Sequence, residues 1–567
     1  MTYRGPDAAG FWDGGACLLA HRRLKVVDLS EAGAQPLVTP DGLHALVYNG
    51  ELYNDAELRH ELTPLLQGHP FASTCDTETL LAALRAWGDA ALPRLRGMFA
   101  LGYLDVRAGR LTLARDPLGI KPLYWRRWTF GGIPHFAFAS AIAPLLGLPG
   151  THDGPDMVAV SAYLTTIRTT LGPRTMYQGV QTLEPGDLLS LDLSDERLTP
   201  RVRAWASESP LAEEGDTRKV IIDSIERHLR SDVPLCSLLS GGLDSSIVAS
   251  IARPRLPELH TYCAGAQSTS QTDDLSFAEL ASARLGTNHT RAMVTREMFE
   301  ERWPGMVAAL ATPLSTPNEV AINEVARTLR ADGRIVTLSG EGADELFGGY
   351  DMPLASATKY FASGGTDPGV HDLIESAWIP PETKASLFQE TMWRGVEEDA
   401  VLLAWYRQTW SLLASSRADD SPMQVHLRLT RRVNLAGLLA RLDTATMLAG
   451  VEGRTPLADW VVARHAESLP MSRKYDAATP APLGTKIALR RAFAGEVPPE
   501  VVARPKASFP LPLQSWMDVG AGWMRESGYL REVFTEPAIH AVASRPNELL
   551  RLAWPMINLA LWGRRWE

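Results

Sequence analysis

The sequence predicts a chain in two parts: a β-rich α+β layer structure, followed by an α/β unit in which helices cover a parallel sheet. In residues 18–195, short apolar runs are separated by turn residues, which is typical of antiparallel strands. In the second part, brief apolar strands alternate with helical patterns. That alternation favours a parallel sheet buried on both faces. Long amphipathic stretches at 371–450 add a helical carboxyl-terminal region.

Individual elements follow from the same patterns. In the first part we expect strands at 24–28, 43–48 and 98–104, and helices at 76–87 and 156–165. In the second part we expect strands at 235–239, 259–263 and 334–338, and helices at 220–229, 245–252, 277–285 and 319–329. The polar stretch 207–216 is the predicted linker. The predicted domains are therefore 1–200 and 217–567.

Composition excludes several classes of protein. The chain has 567 residues, of which 45% are hydrophobic, so disorder and small disulfide scaffolds are excluded. With 56 basic and 66 acidic residues the net charge is −10, which predicts no nucleic-acid partner and no membrane surface. No uninterrupted apolar stretch predicts a membrane helix. The four cysteines show no C-x-x-C spacing, which favours a reducing cytoplasm.

A glycine- and serine-rich motif, Ser240-Gly241-Gly242-Leu243-Asp244-Ser245-Ser246, follows an apolar strand and opens a helix. The glycines permit close backbone approach, and the hydroxyls and helix N–H groups can donate to a phosphate. The lysine of a Walker loop is absent, and Asp244 would repel phosphate unless a divalent cation lay between them. The structural alternative is a glycine-rich turn that caps a helix.

This motif resembles the pyrophosphate loop of the ATP pyrophosphatase superfamily, which adenylates a carboxylate or urea-like carbon and releases pyrophosphate. Residues 339–350, Ser-Gly-Glu-Gly-Ala-Asp-Glu-Leu-Phe-Gly-Gly-Tyr, are similar to the second signature of the glutamine-dependent asparagine synthetases. The resemblance implies ATP and Mg²⁺. It assigns ATP binding to Leu239, Ser240, Gly241, Gly242, Asp244, Ser245, Ser246, Ala264, Ser339 and Gly340.

The same resemblance assigns the chemistry. Asp244 and Asp344 would hold Mg²⁺, because adenylation brings a carboxylate against a charged phosphate. Glu341 would be the catalytic base for ammonia, whereas Glu345 would serve equally well as a helix cap. Segments 442–447, 452–459 and 485–490 resemble the family's helical region, in which Lys486 would neutralise phosphate charge. The tail 504–512 matches the family pattern in part and is expected near the active site.

Several motifs of the first part occur in the order found in the glutaminase domain of class II amidotransferases: 4–7, 20–24, 48–54, 76–78 and 115–124. The resemblance implies an amino-terminal-nucleophile hydrolase fold of stacked antiparallel sheets. Arg23 would bind the glutamine α-carboxylate, Asn49 and Gly50 would form the oxyanion hole, and Glu51 and Asp76 would anchor the amino group. A hairpin turn is the alternative for Asn49-Gly50.

The chain departs from this family at its start. The family's nucleophile is an amino-terminal cysteine whose α-amino group is the base, but residue 2 is Thr. Thr2 is too close to Arg4 to replace the cysteine, and Cys17 is expected in the core. We expect the first strand and helix of the domain to be missing. Two explanations stay open: the start was placed too late, or the chain is naturally short and takes ammonia from solution or another protein.

The predicted enzyme is an asparagine synthetase-like carbon–nitrogen ligase of amino-acid biosynthesis that uses glutamine or ammonia. Residues 311–319 face the acceptor and lack the acid that usually precedes the first proline, so another small acid competes with aspartate. The alternatives are amidation of a specialised-metabolite carboxylate, β-lactam-synthetase-like ring closure and a non-catalytic binding role. Family resemblance also suggests a homodimer.

Overall fold

The computed structural model describes residues 1–15, 17–66, 71–207, 215–266, 273–504 and 512–567. Most of the predicted linker and most of the tail at 504–512 lie outside these ranges. Among the described residues, none of the helices combines the length and apolar character needed to span a bilayer.

The amino-terminal part consists of stacked antiparallel sheets with three helices. A six-stranded sheet has the order β13-β12-β6-β5-β4-β3, a five-stranded sheet has the order β8-β7-β11-β10-β9, and β1 pairs with β2. The strands are β1 Ala8–Asp13, β2 Leu18–Arg23, β3 Leu37–Val38, β4 His44–Leu52, β5 Gly97–Asp105, β6 Arg110–Arg115, β7 Tyr124–Phe130, β8 Ile133–Ala139, β9 Thr170–Leu171, β10 Arg174–Thr175, β11 Val180–Thr182, β12 Asp187–Asp192 and β13 Arg201–Ala204. The helices are α1 Asp55–Leu62, α2 Asp76–Trp87 and α3 Met157–Thr166.

Alternating side chains on the six-stranded sheet form two cores. One face packs on α1 and α2 through Leu80, Leu84 and Phe99, among others. The other packs against β7 and β8, where Gly102 leaves room for the ring of Phe138. Cys17 lies at the margin of this second core, as predicted. The predicted fold of the first part is therefore confirmed.

The carboxyl-terminal part is built on a parallel sheet in the order β16-β15-β14-β17-β18. Its strands are β14 Leu235–Leu238, β15 His260–Ala266, β16 Asn288–Val294, β17 Val336–Leu338 and β18 Glu452–Arg454. The helices that cover or follow it are α4 Thr217–Arg227, α5 Leu243–Ala252, α6 Asp273–Leu285, α7 Arg296–Leu310, α8 Asn318–Ala331, α9 Ala343–Phe347, α10 Asp351–Ala362, α11 Pro368–Ser376, α12 Pro381–Leu387, α13 Glu390–Gly395, α14 Ala400–Ser416, α15 Pro422–Thr430, α16 Ala436–Met447, α17 Trp460–Ser468, α18 Ile487–Ala492, α19 Pro499–Val502, α20 Ala521–Glu526, α21 Gly528–Val533, α22 Glu536–Ser544 and α23 Leu550–Gly563. A π-helical turn, Arg431–Leu435, joins α15 to α16. The predicted α/β class and helical end are confirmed.

The two parts share apolar cores. Val26 and Met98 of the first part pack with α4, α5 and α17 of the second. Tyr163 of α3 lies in a cluster with α7 and α23, and its hydroxyl donates to the carbonyl of Leu314 at 2.7 Å. Residues of the first part thus pack directly against residues of the second.

One local prediction, the strand at 24–28, was wrong, and the hairpin alternative for Asn49-Gly50 is excluded. Residues 24–28 form a loop, because the carbonyls of Val27 and Asp28 accept hydrogen bonds from the Arg23 guanidinium and not from a neighbouring strand. Asn49 and Gly50 lie inside β4, paired with Ala100 and Phe99 of β5, so the hairpin turn is excluded.

Candidate active site

The loop at residues 239–242 lies at the carboxyl edge of the parallel sheet, between β14 and α5. The N–H of Ser240 donates to Ser245 Oγ at 3.2 Å, which folds the loop back on its helix. Gly241 has a φ of +68°, and a Cβ there would lie 2.4 Å from the amide nitrogen of Ala278. The free N–H groups of the first turn of α5 are therefore available to an anion.

The signature at 339–350 folds directly against that loop. Its first residue, Ser339, follows β17 and donates its N–H to the carbonyl of Arg454 at 2.8 Å. A Cβ at Gly340 would lie 2.8 Å from the amide nitrogen of Ser245, so the loops meet only because glycine stands there. This contact brings Asp244 and Asp344 to one edge of the sheet.

Lys486 joins the two carboxylates. Its Nζ lies 2.6 Å from Asp244 Oδ2 and 2.7 Å from Asp344 Oδ1. Burial alone would lower the pKa of Lys486, but the two aspartates outweigh burial and raise that pKa above its usual value. The lysine is therefore a fixed cation between two anions.

A cavity of about 420 Å³ opens on these groups. Of the predicted ATP-binding residues, those that line it are Leu239, Ser240, Gly242, Asp244, Ser245, Ala264, Ser339 and Gly340. Gly241 and Ser246 lie outside the lining: Gly241 packs against the start of α6, and Ser246 is fully buried. The wall also contains apolar side chains such as Ile322 and Val325, which suit a planar base.

Glu341 lies in the same cavity and is paired with an arginine. Arg441 Nη2 lies 2.5 Å from Glu341 Oε1, and its Nη1 donates to Thr316 Oγ1 at 3.1 Å. Glu345, by contrast, is buried outside the cavity lining, in the first turn of α9, and its side chain accepts a hydrogen bond from the Tyr350 hydroxyl. Arg441 was missed by sequence reasoning, although it immediately precedes the family segment 442–447.

A second, smaller pocket of about 70 Å³ holds the predicted glutamine-binding residues: Arg23, Asn49, Gly50, Glu51 and Asp76. The Asn49 Nδ2 group is buried, and none of the described residues gives it a hydrogen-bond partner. An oxyanion in this pocket would give it one. The Arg23 guanidinium is already engaged, since it donates to the backbone carbonyls of Val27, Asp28 and Ser30.

The two acids of this pocket are deeply buried. Asp76 Oδ2 accepts hydrogen bonds from the N–H of Leu52 at 2.8 Å and the hydroxyl of Tyr48 at 3.1 Å. Burial, and then the charge of Asp76, raise the pKa of Glu51 despite the opposing effect of Arg454. Burial likewise raises the pKa of Asp76. A bound ammonium group would relieve both by favouring the charged carboxylates.

Comparison with known proteins gives a family match for each part of the chain. The family model for asparagine synthase matches residues 216–564, and that for a glutamine amidotransferase domain matches residues 1–202. Asparagine synthetase [glutamine-hydrolyzing] 1 of Bacillus subtilis is 31% identical, over 95% of this chain and 87% of the relative. The chain belongs to the asparagine synthase family.

Other family members extend the comparison. Asparagine synthetase [glutamine-hydrolyzing] 3 of Bacillus subtilis is 28% identical over 90% of this chain and 82% of its own. Asparagine synthetase B of Escherichia coli is 30% identical over 62% of this chain and 60% of its own. These relatives support an ATP-dependent amide ligase of the glutamine-hydrolysing asparagine synthetase kind; ring closure and a non-catalytic role are not favoured. The family is ATP-dependent, and the predicted division at 200 and 217 stays a prediction.

The residues that could hold Mg²⁺ are Asp244 and Asp344. No group of three or more His, Cys, Asp or Glu side chains that could hold a metal occurs in the described part of the chain. Asp244 and Asp344 supply two carboxylates, and Mg²⁺ is commonly bound by one or two carboxylates together with substrate phosphates.

The two sites are also tied together by ion pairs that sequence reasoning missed. Asp443 of α16 lies 2.7 Å from Arg4 Nη2 and 3.0 Å from Lys121 Nζ, and all three side chains are buried. Arg454 of β18 faces Glu51 at 3.5 Å and Glu452 at 2.8 Å. Apart from the local pair of Arg454 with Glu452, only tertiary structure reveals these pairings, because the partners are hundreds of residues apart.

Proposed function

We propose that this ligase amidates the side-chain carboxylate of aspartate, using ATP with Mg²⁺ and ammonia derived from glutamine or from solution. The observation that carries the proposal is the convergence of Asp244, Asp344 and Lys486 beside Glu341 at the carboxyl edge of the parallel sheet. A buried cation between two carboxylates, next to a helix start that no side chain caps, is suited to a nucleoside triphosphate.

In the first half-reaction, a carboxylate oxygen of the acceptor attacks the α-phosphorus of ATP and pyrophosphate leaves with the electron pair. The α5 N–H groups and the hydroxyls of Ser240 and Ser245 would hold the leaving phosphates. Lys486 would neutralise charge that grows on them. Mg²⁺, held by Asp244 and Asp344, would supply further positive charge between the phosphates.

In the second half-reaction, ammonia attacks the activated carbonyl carbon and AMP leaves. The nitrogen must lose a proton as the amide forms, and Glu341 would accept it. Arg441 would hold the Glu341 carboxylate in place for that transfer, since it already donates to it.

For glutamine as nitrogen donor, a cysteine of the family kind, which this sequence does not have at residue 2, would attack the amide carbon and release ammonia. Asn49 and Gly50 would stabilise the resulting oxyanion, and Glu51 and Asp76 would bind the amino group. Arg23 would bind the α-carboxylate or, as its bonds to carbonyls suggest, shape the loop that does. Four free cysteines support a cytoplasmic enzyme. The homodimer stays a prediction.

The test is pyrophosphate release by the purified chain with ATP, Mg²⁺, ammonium and single candidate acids. Aspartate should support release, and asparagine should accumulate in equal amount. If aspartate supports no pyrophosphate release and another acid does, the assigned substrate is wrong. Replacing ammonium by glutamine then identifies the nitrogen source.

A further inference from the structure

A third cavity, of about 130 Å³, adjoins the cavity of about 420 Å³ at Asp244, Asp344 and Lys486, which is called the nucleotide cavity below. Its wall comes from both parts of the chain and includes Arg168, Glu319, Trp405, Arg432, Arg441 and Thr444. Arg441 lines both cavities, and it pairs with Glu341, which lines the nucleotide cavity. A small molecule bound here could therefore extend one end toward the nucleotide.

Arg168 is a half-buried cation that has one fully buried nitrogen. Its Nη2 donates to Asn434 Oδ1 at 2.8 Å, whereas its buried Nη1 has no hydrogen-bond partner among the described residues. No carboxylate of the described residues forms an ion pair with it. Burial and the nearby charge of Arg441 lower the pKa of Arg168. Because buried charges are normally paired, this site is suited to an anion.

The local backbone keeps Arg168 in this position. The Arg168 side chain packs against α16 at Gly437, where a Cβ would lie 2.6 Å from Arg168 Nε. Glycine at position 437 therefore leaves room for Arg168, a residue of the first part of the chain, to form part of the cavity wall.

Glu319 supplies the opposite charge in the same cavity. It is 3% exposed. Its Oε2 accepts from the N–H of Ser315 at 2.8 Å, and its Oε1 accepts from Thr444 Oγ1 at 3.1 Å. These bonds fix the carboxylate and leave lone pairs for an ammonium group. Glu319 ends the stretch 311–319, so this acid follows both prolines of the stretch and does not occupy the position before the first one.

We propose that this cavity is the subsite for the non-reacting end of an amino dicarboxylic acid: Arg168 binds the carboxylate that is not adenylated, and Glu319 binds the α-ammonium group. The proposal rests on the proposed function and deepens it. The acceptor's other carboxylate then reaches past Arg441 into the nucleotide cavity. Acids that lack either group bind less tightly.

Three acids separate the two contacts. Aspartate carries both groups, succinate lacks the ammonium group, and β-alanine lacks the second carboxylate. KM and kcat are measured by pyrophosphate release, and inhibition constants against aspartate are used where turnover is undetectable. Arg168→Gln should raise the constants for aspartate and succinate about 10- to 100-fold and leave that for β-alanine unchanged. Glu319→Gln should weaken aspartate and β-alanine but not succinate.

Arg174→Gln is the matched control, since Arg174 lies nearby on β10 in a half-exposed ion pair with Asp156. Arg168→Lys should recover part of the affinity for aspartate, which a purely structural role would not predict. Thermal unfolding with aspartate but without ATP gives an independent readout: aspartate should raise the Tm of the wild-type chain and not that of Arg168→Gln.

Equal penalties for all three acids, or equal stabilisation of wild type and Arg168→Gln by aspartate, would overturn the subsite. Stabilisation of the wild type by inorganic sulfate as strongly as by aspartate would also overturn it, in favour of a general anion site. If no acid supports pyrophosphate release in the wild type, the proposed function fails, whereas the thermal measurement still decides the role of Arg168.

Discussion

The nucleotide cavity and the glutamine pocket hold their charged groups in different ways. In the nucleotide cavity, Lys486 is held by side chains from two distant loops, and the space beside it is about 420 Å³. In the pocket of about 70 Å³ that we propose binds glutamine, Arg23 donates to backbone carbonyls of the loop after β2, and Asp76 accepts from a backbone N–H and a tyrosine hydroxyl of β4. Lys486 therefore places a positive charge at the edge of an open cavity, whereas the Arg23 guanidinium is used to hold the loop that lines its pocket. A motif match alone does not distinguish these two uses.

The largest expected effect is at Lys486. Lys486→Ala removes the cation between Asp244 and Asp344, so aspartate-dependent pyrophosphate release should fall about 1,000-fold. Lys359→Ala, an exposed lysine on α10, is the control and should leave the rate unchanged. A Lys486→Ala enzyme that keeps a tenth of the activity would show that the ion pairs serve stability and not catalysis.

The next effect concerns the contact between the two regions. Asp443→Asn leaves Arg4 and Lys121 buried without their anion, and should lower the free energy of unfolding by about 3–5 kcal/mol at pH 7. Asp419→Asn, on the exposed turn after α14, is the control.

The pH dependence has a definite sign. Burial alone would raise the pKa of Asp443, but Arg4 and Lys121 outweigh burial and hold that pKa below its ordinary value of 3.8. The stabilisation is therefore complete above pH 3.8 and is lost as the pH falls through the lower folded-state pKa. Urea denaturation between pH 7 and pH 3 should show the wild-type advantage over Asp443→Asn shrinking only at the acidic end. A constant advantage would contradict the pairing.

Glu341→Gln tests whether Glu341 acts in amide formation and not in adenylation. Amide formation should fall about 100-fold because the amide side chain cannot accept the proton from ammonia. Aspartate-dependent exchange of pyrophosphate into ATP should continue, since adenylation needs no base. Glu301→Gln is an exposed control. Equal loss of both reactions would place Glu341 in adenylation instead.

The smallest effect is predicted at Gly349. A Cβ there would lie 2.0 Å from Asp344 Oδ1 and 2.3 Å from Lys486 Cε. Gly349→Ala should displace both side chains and slow pyrophosphate release about 10-fold with little loss of stability. The control Gly305→Ala meets no atom within 4 Å on α7 and should be stabilising by up to about 1 kcal/mol. Unchanged kinetics for Gly349→Ala would mean that the ion-pair geometry tolerates displacement.

Much of the fold could be predicted from the sequence, because strand and helix periods are local. The helix predicted at 76–87 matches α2, and the alternation of strands and helices from residue 235 onward correctly predicted the parallel sheet. The predicted strand at 24–28 failed because a side chain, that of Arg23, took the carbonyl groups that a neighbouring strand would have bonded. Such competition depends on where a guanidinium lies in space.

The same reasoning applies to the sites. Asp244, Asp344 and Glu341 stand in recognisable glycine-rich turns, so sequence could name them. Arg168 stands in no motif, and only the fold shows that it reaches a synthetase cavity from the first part of the chain. Pairings such as that of Lys121 with Asp443 bridge residues far apart in sequence, and single-sequence patterns carry no signal for them.

The central claim is that the cavity around Asp244, Asp344 and Lys486 activates a carboxylate by adenylation. The direct measurement uses aspartate labelled with oxygen-18 in its side-chain carboxylate, with ATP, Mg²⁺ and ammonium, and determines the label in the products by mass spectrometry. One labelled oxygen should appear in AMP and one should stay in asparagine. Unlabelled AMP, or formation of ADP and labelled inorganic phosphate, would contradict the account.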